Sequence, residues 1–583
     1  MPARSILFLL ALAAPLAHAA PVQSGKAASG SGSVTFIHLG DLHGHLIPRP
    51  DMRAGSPTYG EQVGGLAYVA SQIREIRRRQ PGALLVNTGD TIQGSAEALY
   101  SEGQVMLELL TPLKIDAFVP GNWDFVYGTQ RFIELFAGKQ PKAPWGALSA
   151  NLYYATLYDF PATPYARQAG QRVLPPYRIF QVGALKVAMI GLTADRAPQA
   201  VSTHVLDGFS LTPGNEELAY LVPRLRKQVD VLVLASERGL AANREMVETI
   251  PGIDLVLSSD MHEETWQVLR AQSGALLLEE GQDGTMVGEI TLTVTNGRVT
   301  GHRHTAHRIT IRRLQPDPEM QAKIETLRSA FVKGSGFHPH SNPVNGAVLR
   351  TPIDTVVGYT EVALHRSNYA DSKVQPAVIE GSSHNFLADA FKSVCRSDVG
   401  MIRGFRYGTH VAPGPVKLED LYHFMPIGPQ VACGVIRGED IRWQIENSAR
   451  GALTPYIDDW TGGWLFGWSG VSFDLDPNQE YGLMASNIRV NGEPLDPARE
   501  YRLGGYWYVD NANWINRVPA EQIRVLRAAN GGILDATDVV AQYFSTLPGR
   551  RFVPTPDRVK LLQPLPKRSG PNAEIQPLAG APH

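Results

Sequence analysis

Asp41 and His43 are two residues apart in VTFIHLGDLHGH, directly after an apolar run. One extended turn there can offer a carboxylate oxygen and an imidazole nitrogen to the same cation. Asp90 in ALLVNTGDTIQGS, Asn122 in DAFVPGNWDFVYG and His262 in IDLVLSSDMHEE repeat that placement, each just past a run with the composition of a buried strand. Asp90 can bridge two cations through its two oxygens, Asn122 adds a neutral amide oxygen, and His262 adds a second imidazole. A single Asp after a strand is ordinarily a turn or helix cap. Four such positions in order predict instead a metal-holding pocket beyond the carboxyl ends of a sheet.

The elements that must place these residues show as an alternation. Strand-like runs at 34–39, 83–87, 116–119, 185–192, 229–235, 253–257 and 275–279 are interleaved with helical patterns. LAYVASQIREIRRR and NEELAYLVPRLRKQV, for example, carry apolar residues at three- and four-residue spacing. Such alternation predicts layered α/β structure. ALLLEE and GEITLTVTNGRVTGHRHTA predict a hairpin closing this domain, with Asn-Gly at its turn. DPEMQAKIETLRSAF (317–331) predicts a polar connector helix, beyond which the composition changes to an α+β pattern, with helices such as EDIRWQIENSA and strands such as VSFDLD and IRVNG. The expected organisation is a metal-binding domain over 33–312, a linker with its helix over 313–349 and a second domain over 350–562. The tail, 563–583, lacks apolar periodicity and is expected to be disordered.

A chain of 583 residues is too long for one core, in keeping with two domains. Its formal net charge of −2 excludes a strongly basic nucleic-acid binder and offers no attraction to a membrane surface. The start, MPARSILFLLALAAPLAHAA, combines Arg4, a short apolar run from Ile6 to Leu16 and Ala17-His18-Ala19 as a cleavage signal. Residues 1–20 thus predict a secretory signal peptide and, in a Gram-negative host, a periplasmic protein. No other stretch reaches the roughly 18 uninterrupted apolar residues of a span, so no membrane anchor is expected after cleavage. Cys395 falls in the helical pattern HNFLADAFKSVC and Cys433 in the strand-like QVACGVI. An oxidising compartment permits a disulfide between them, and two buried free thiols are the alternative.

FIHLGDLHGHL, VNTGDTIQGS and PGNWDFVYG resemble the calcineurin-type metallophosphoesterases in their two-domain 5′-nucleotidase form, over roughly 34 to 545. The resemblance implies a four-layer αββα metal domain followed by an α+β, substrate-binding C-terminal domain. It makes Asp41, His43, Asp90 and His262 the ligands of a first metal, with Asp90 bridging to a second that Asn122 also holds. The family adds two histidines to the second metal, from Ser-His-x-Gly and Gly-Gly-His-x-His elements. Here those elements read Ser236-Glu237-Arg238-Gly239 and Ser258-Ser259-Asp260-Met261-His262, so Glu237 and Asp260 replace imidazoles. Two readings stay open. An all-oxygen second site would favour hard cations, Mn²⁺ above all, or Mg²⁺ or Ca²⁺, over Zn²⁺. A degenerate second site would instead leave Glu237 paired with Arg238 or Arg244.

Phosphatases of this superfamily carry a His after the Asn, which assists the leaving oxygen. Here that position is Trp123, whose indole N–H is no catalytic acid. Gly-Asn-Trp followed by Tyr-Gly resembles the SoxB-type thiosulfohydrolases of sulfur oxidation, as does MIRGFRYGTHVAPGPVKLEDLY. That resemblance implies hydrolysis of a sulfonate, as sulfate, from a cysteine on a carrier protein of the SoxYZ type. Arg406 would hold the sulfonate oxygens, with Arg403 and Tyr407 beside it, and a planar guanidinium suits that task. A periplasmic 5′-nucleotidase-type phosphoesterase is the alternative, as is a weakened SoxB-like protein that binds its carrier without turnover. Asp124 either orients the ligand shell or caps the next helix, and His38 lines the site or belongs to the core.

Overall fold

The structure is a computed structural model that describes residues 30–53, 56–156, 165–201, 204–365, 379–403, 411–453, 465–508, 512–516, 518–555 and 557–563. The expected signal peptide, Arg406, Tyr407 and all but the first residue of the expected disordered tail lie outside the described residues. Among the described residues, no helix is long and apolar enough to cross a membrane.

The N-terminal domain holds two sheets face to face. The chain enters on β1 (Gly32–Leu39), crosses by α1 (Leu66–Arg79) to β2 (Leu84–Asn87) and continues to β3 (Ala117–Phe118), all parallel. The second sheet takes β4 (Tyr177–Val182), β5 (Leu185–Leu192), β6 (Val231–Glu237), β7 (Leu255–Ser259), β8 (Leu269–Arg270) and β9 (Leu276–Glu279). Its central strands β5, β6, β7 and β9 are parallel, linked in part by α2 (Asn215–Leu225) and α3 (Leu240–Thr249). β10 (Met286–Thr295) and β11 (Arg298–Arg308) then return as an antiparallel hairpin to the first sheet, whose order is β11-β10-β1-β2-β3. Asn296 and Gly297 turn the hairpin with φ of 50° and 70°, the left-handed pair that such a turn requires. ALLLEE is not part of this hairpin. It forms β9, parallel to β7 in the other sheet, where a strand buried on both faces needs an unbroken apolar run.

The layers follow from which side chains meet. Phe36, Val86 and Ile290 of the first sheet pack against Val187, Val233 and Leu257 of the second. Outside the first sheet, Ile37 and Leu85 pack under Val69, Ile73 and Ile76 of α1. Outside the second, Ile190 and Leu234 pack under Leu218, Leu221 and Val247. This is the helix–sheet–sheet–helix arrangement that the family resemblance implies. Both inner sheets are covered on each face, so their central strands read as continuous hydrophobic runs.

The helix expected as a connector spans Pro318–Arg328, with Asp317 as its cap accepting from the Met320 N–H at 2.9 Å. It packs on the first domain through buried Met320 and Ile324. The C-terminal α+β domain is built on a five-stranded sheet that includes Val399–Ile402, Gln430–Arg437 and Glu500–Trp507. Its helix Leu418–Phe424 is buried at all seven positions. Arg49 pairs with Asp420 of this helix, Arg328 bridges Glu97 and Glu419, and the Tyr100 and Tyr422 hydroxyls share a 2.6 Å hydrogen bond. One apolar cluster runs from Leu99 and Met106 through Ile324 to Leu421 and Phe386.

Cys395, at the end of helix Ser382–Cys395, is bonded to Cys433 in strand Gln430–Arg437, 38 residues along the chain. Closing a loop of that length removes unfolded-state freedom worth about 2–4 kcal/mol. Cys433→Ser, or reduction of the wild type, is therefore expected to lower C-terminal-domain stability by about that amount. Denaturant unfolding with and without reductant checks this, and the variant should show no further response to reductant.

Candidate metal centre

Every predicted ligand sits where a parallel strand ends, and the strands end in register. Leu39 lies beside Asn87 and Asn87 beside Phe118, while Glu237 lies beside Ser259. Asp41, His43, Asp90, Asp260 and His262 all adopt positive φ, between 45° and 90°. Non-glycine residues rarely do so, and each costs of order 1 kcal/mol or more unless its surroundings hold it. Here the loops hold one another. The Asp41 N–H donates to the Gly89 carbonyl at 3.1 Å, the His43 N–H to the Asp90 carbonyl at 2.8 Å and the Asp283 N–H to the Asp41 carbonyl at 2.7 Å. Two glycines permit this close approach. A Cβ at Gly94 would lie 1.9 Å from the His43 carbonyl oxygen, and one at Gly121 would lie 2.2 Å from Asp90 Oδ1.

Ligand atoms of Asp41, His43 and His262 gather within 4.8 Å of one another, and so do those of Asp41, Asp90 and Glu237. His43 Nε2 lies 2.9 Å from His262 Nε2, 3.7 Å from Asp41 Oδ1 and 3.9 Å from Asp90 Oδ2. Backbone donors aim the carboxylates. The Asp260 N–H donates to Asp41 Oδ2 at 2.9 Å, and the Trp123 N–H to Asp90 Oδ1 at 2.8 Å. Asp41 Oδ1, Asn122 Oδ1 and both Glu237 oxygens are buried with no hydrogen-bond partner among the described residues.

The electrostatics call for a cation. Burial, then the charges of Asp90, Glu279 and Asp260, pushes the Asp41 carboxyl well above the usual carboxylate range. Burial, then Asp90, Asp260 and Asp41, does the same to Glu237. Carboxylates packed this closely in a low-dielectric site cannot all stay ionised unpaired. Hard donors with orphaned oxygens and two imidazoles fit divalent cations. Two clusters capable of holding such ions are present.

Other predicted residues occupy distinct places. Asp260 belongs to neither cluster: its Oδ1 accepts from Asn122 Nδ2 at 3.0 Å, and its Oδ2 pairs with Arg196. Glu237 pairs with neither arginine weighed for it, because Arg238 faces Asp195 at 3.2 Å and Arg244 faces Glu248 at 3.2 Å. Asp124 accepts from the Thr91, Ile92 and Gly121 N–H groups at 2.9, 3.0 and 2.9 Å, tying the Asp90 loop to the Asn122 loop. Burial pushes its carboxyl up to about 6 against the pull of those donors. Trp123 is half-buried at the start of a short 3-10 turn. His38 is fully buried within β1, sharing a 2.8 Å hydrogen bond with Thr88 Oγ1 and pairing with Glu280. Arg403 places its guanidinium 6.0 Å from the Phe466 ring centroid.

Two features went unread in the sequence. Arg196, in the turn after β5, carries no motif or periodicity that would single it out. Glu279, at the end of β9, obeys the same strand-end rule as the ligands and could have been found by it. Its carboxylate accepts from Ser258 Oγ at 2.6 Å and from the Met261 and Glu263 N–H groups at 3.2 and 2.9 Å, bracing the loop that carries Asp260 and His262.

Residues 34–264 match the calcineurin-like phosphoesterase family, and residues 356–514 match the 5′-nucleotidase C-terminal domain. A probable 5′-nucleotidase of Treponema pallidum is 21% identical over 538 residues, covering 82% of this chain and 86% of its own length. Other curated relatives, an endonuclease of Bacillus subtilis and animal and snake-venom 5′-nucleotidases, are spanned over only 36% to 41% of their length. Among solved structures, the sulfate thiohydrolase SoxB of Thermus thermophilus superposes with a TM-score of 0.73 at 19% identity, covering 92% of this chain and 98% of its own. A 5′-nucleotidase precursor of Thermus thermophilus gives 0.72 at 17%, covering 91% and 100%. The fold is thus shared almost equally with proteins of both descriptions.

A bound cation stabilises only the folded centre, by about 2.7 kcal/mol at a hundred times its dissociation constant. Chelation should therefore lower the thermal midpoint, Mn²⁺ should restore it, and Asp41→Asn should abolish most of the response. Calorimetry alongside metal analysis checks all three.

Proposed function

We propose, from the chain's membership in the calcineurin-like metallophosphoesterase and 5′-nucleotidase superfamily, that it hydrolyses a phosphate ester in the manner of a 5′-nucleotidase. The observation that carries this reading is the convergence of Asp41, His43, Asp90, Glu237 and His262 at the strand ends of both sheets. The relative in Treponema, aligned over most of both chains, lends it support. Asp41, His43, Asp90 and His262 would hold one divalent cation, with Asp90, Asn122 and Glu237 holding a second; manganese suits this oxygen-rich set. Such cations supply an activated water and offset the charge of the anionic ester.

The chain's own residues set the geometry. The Asp260 and Trp123 N–H groups fix the two central carboxylates, and Asp124 locks the loops that carry Asp90 and Asn122. Water adds to phosphorus, the bond to the leaving alcohol oxygen breaks, and that oxygen takes a proton. We place the catalysis in the domain over 33–312 and substrate binding in the domain over 350–562, joined by 313–349. Residues 1–20 support export to the periplasm.

One observation favours a second reading. Trp123 stands where the phosphatases carry a proton-donating His, so an alcohol would leave unassisted. A thiosulfonate on a carrier cysteine makes no such demand. Water adds to the sulfonate sulfur, the S–S bond breaks, sulfate forms, and the thiolate or persulfide leaves without a proton. Arg406, Arg403 and Tyr407 would then bind the sulfonate, and the partner would be a SoxYZ-type carrier.

Mn²⁺-loaded protein should be assayed in parallel for phosphate release from a nucleoside monophosphate and sulfate release from a cysteine S-sulfonate carrier. Phosphate alone supports the first reading; sulfate alone overturns it in favour of the second. Trp123→His should raise phosphate release at least about tenfold if proton donation limits the reaction, since a placed general acid contributes about 10²–10⁴. An unchanged kcat would show that position 123 does not govern the leaving group.

A further inference from the structure

Asp260 stands where the family resemblance expects an imidazole ligand, yet both its oxygens are committed elsewhere. Oδ1 accepts from the Asn122 amide at 3.0 Å, which leaves Asn122 Oδ1 with no hydrogen-bond partner and available to a cation. Oδ2 pairs with Arg196, whose guanidinium also touches the Met261 sulfur. Asp260 is fully buried, while the Arg196 side chain is 29% exposed, so it reaches from the cluster wall to solvent.

We infer that Arg196 is a fixed cation built into the second cluster. It withholds Asp260 from the ligand set, weakens binding of the second divalent ion, and offsets part of the cluster's negative charge toward an anion. The inference rests on the metal reading of the site given above. The commitment of both Asp260 oxygens carries it. Asp260 Oδ2 is taken by the Arg196 guanidinium and Asp260 Oδ1 by the Asn122 amide, so neither oxygen is offered to a cation. Arg196 also sets one positive charge against a cluster crowded by Asp41, Asp90, Glu237 and Glu279, and substrate anions in either proposed reaction need that attraction. Asp260 also acts as a positioning residue through its other oxygen: Oδ1 accepts from the Asn122 amide and turns the amide oxygen toward the cluster, a contact that does not involve Arg196.

The test titrates metal-free protein with Mn²⁺ by calorimetry, then titrates the loaded protein with inorganic phosphate and sulfate. Arg196→Gln should bind the second Mn²⁺ at least tenfold more tightly and both anions at least tenfold more weakly, while Arg196→Lys should stay near the wild type in both. Unchanged or weaker second-ion affinity in a folded Arg196→Gln that still binds its first ion would overturn the inference alone. Absence of Mn²⁺ binding in wild type and variant alike would overturn the metal reading and the inference with it. Equal loss in the Gln and Lys variants would mark Arg196 as structural and also overturn it.

Discussion

Mutual repulsion among buried carboxylates is the constraint on which this centre depends. Asp41, Asp90, Glu237 and Asp260 come from the ends of four strands in two sheets, each at most 1% exposed. Nothing in the packing of those strands relieves the repulsion, so the loops must hold the groups together against it. They do so with backbone hydrogen bonds that cross between strand ends, at the cost of several left-handed non-glycine residues. A divalent cation held by these oxygens would turn the same crowding into attraction.

A satisfied polar layer behind the ligands transmits this order. Ser236, Asn243, Ser258 and Glu279 form a chain of side-chain hydrogen bonds of 2.6–2.9 Å beneath the ends of β6, β7 and β9. His38, within β1, links Thr88 and Glu280 in a second such group, in which one Glu280 oxygen has no hydrogen-bond partner among the described residues. Such buried networks rigidify a site only when every member is paired. The second domain joins through His45, which shares a 2.9 Å hydrogen bond with the His43 carbonyl and stacks on His423 with ring centroids 4.2 Å apart. His423 in turn meets the Gly94 carbonyl at 3.0 Å. The ligand loop and helix Leu418–Phe424 are therefore braced against each other.

Much of this was legible in the sequence because it is local. β1, β2 and β7 announce themselves as apolar runs, α1 as a three-and-four pattern, and Asp41 and His43 as donors at fixed spacing after a strand. What escaped is set by distance in space between residues far apart in the chain. Asp260 meets Asn122 across 138 residues and Arg196 across 64, and no pattern in either segment reports the other. The run ALLLEE has the composition of a hairpin strand and of a parallel central strand alike, so only the sheet it joined could decide. Cys395 and Cys433 were compatible with a bridge or with free thiols until the helix end and the strand were brought together.

Trp123 and Arg196 then divide the site's chemistry between them. Trp123 contributes its backbone N–H to Asp90 but no proton to a leaving group, so it bears on the bond-breaking step. Arg196 contributes charge near the cluster and holds Asp260 aside, so it bears on how many cations the centre keeps and how strongly an anion is drawn in. Both positions lie outside the Asp41, His43, Asp90 and His262 set. Substrate choice and metal affinity can therefore drift at those two positions while the first cluster stays intact. On the proposed readings, a side-chain change at either would alter the reaction while the strand ends that carry Asp41, His43, Asp90 and His262 stay in place.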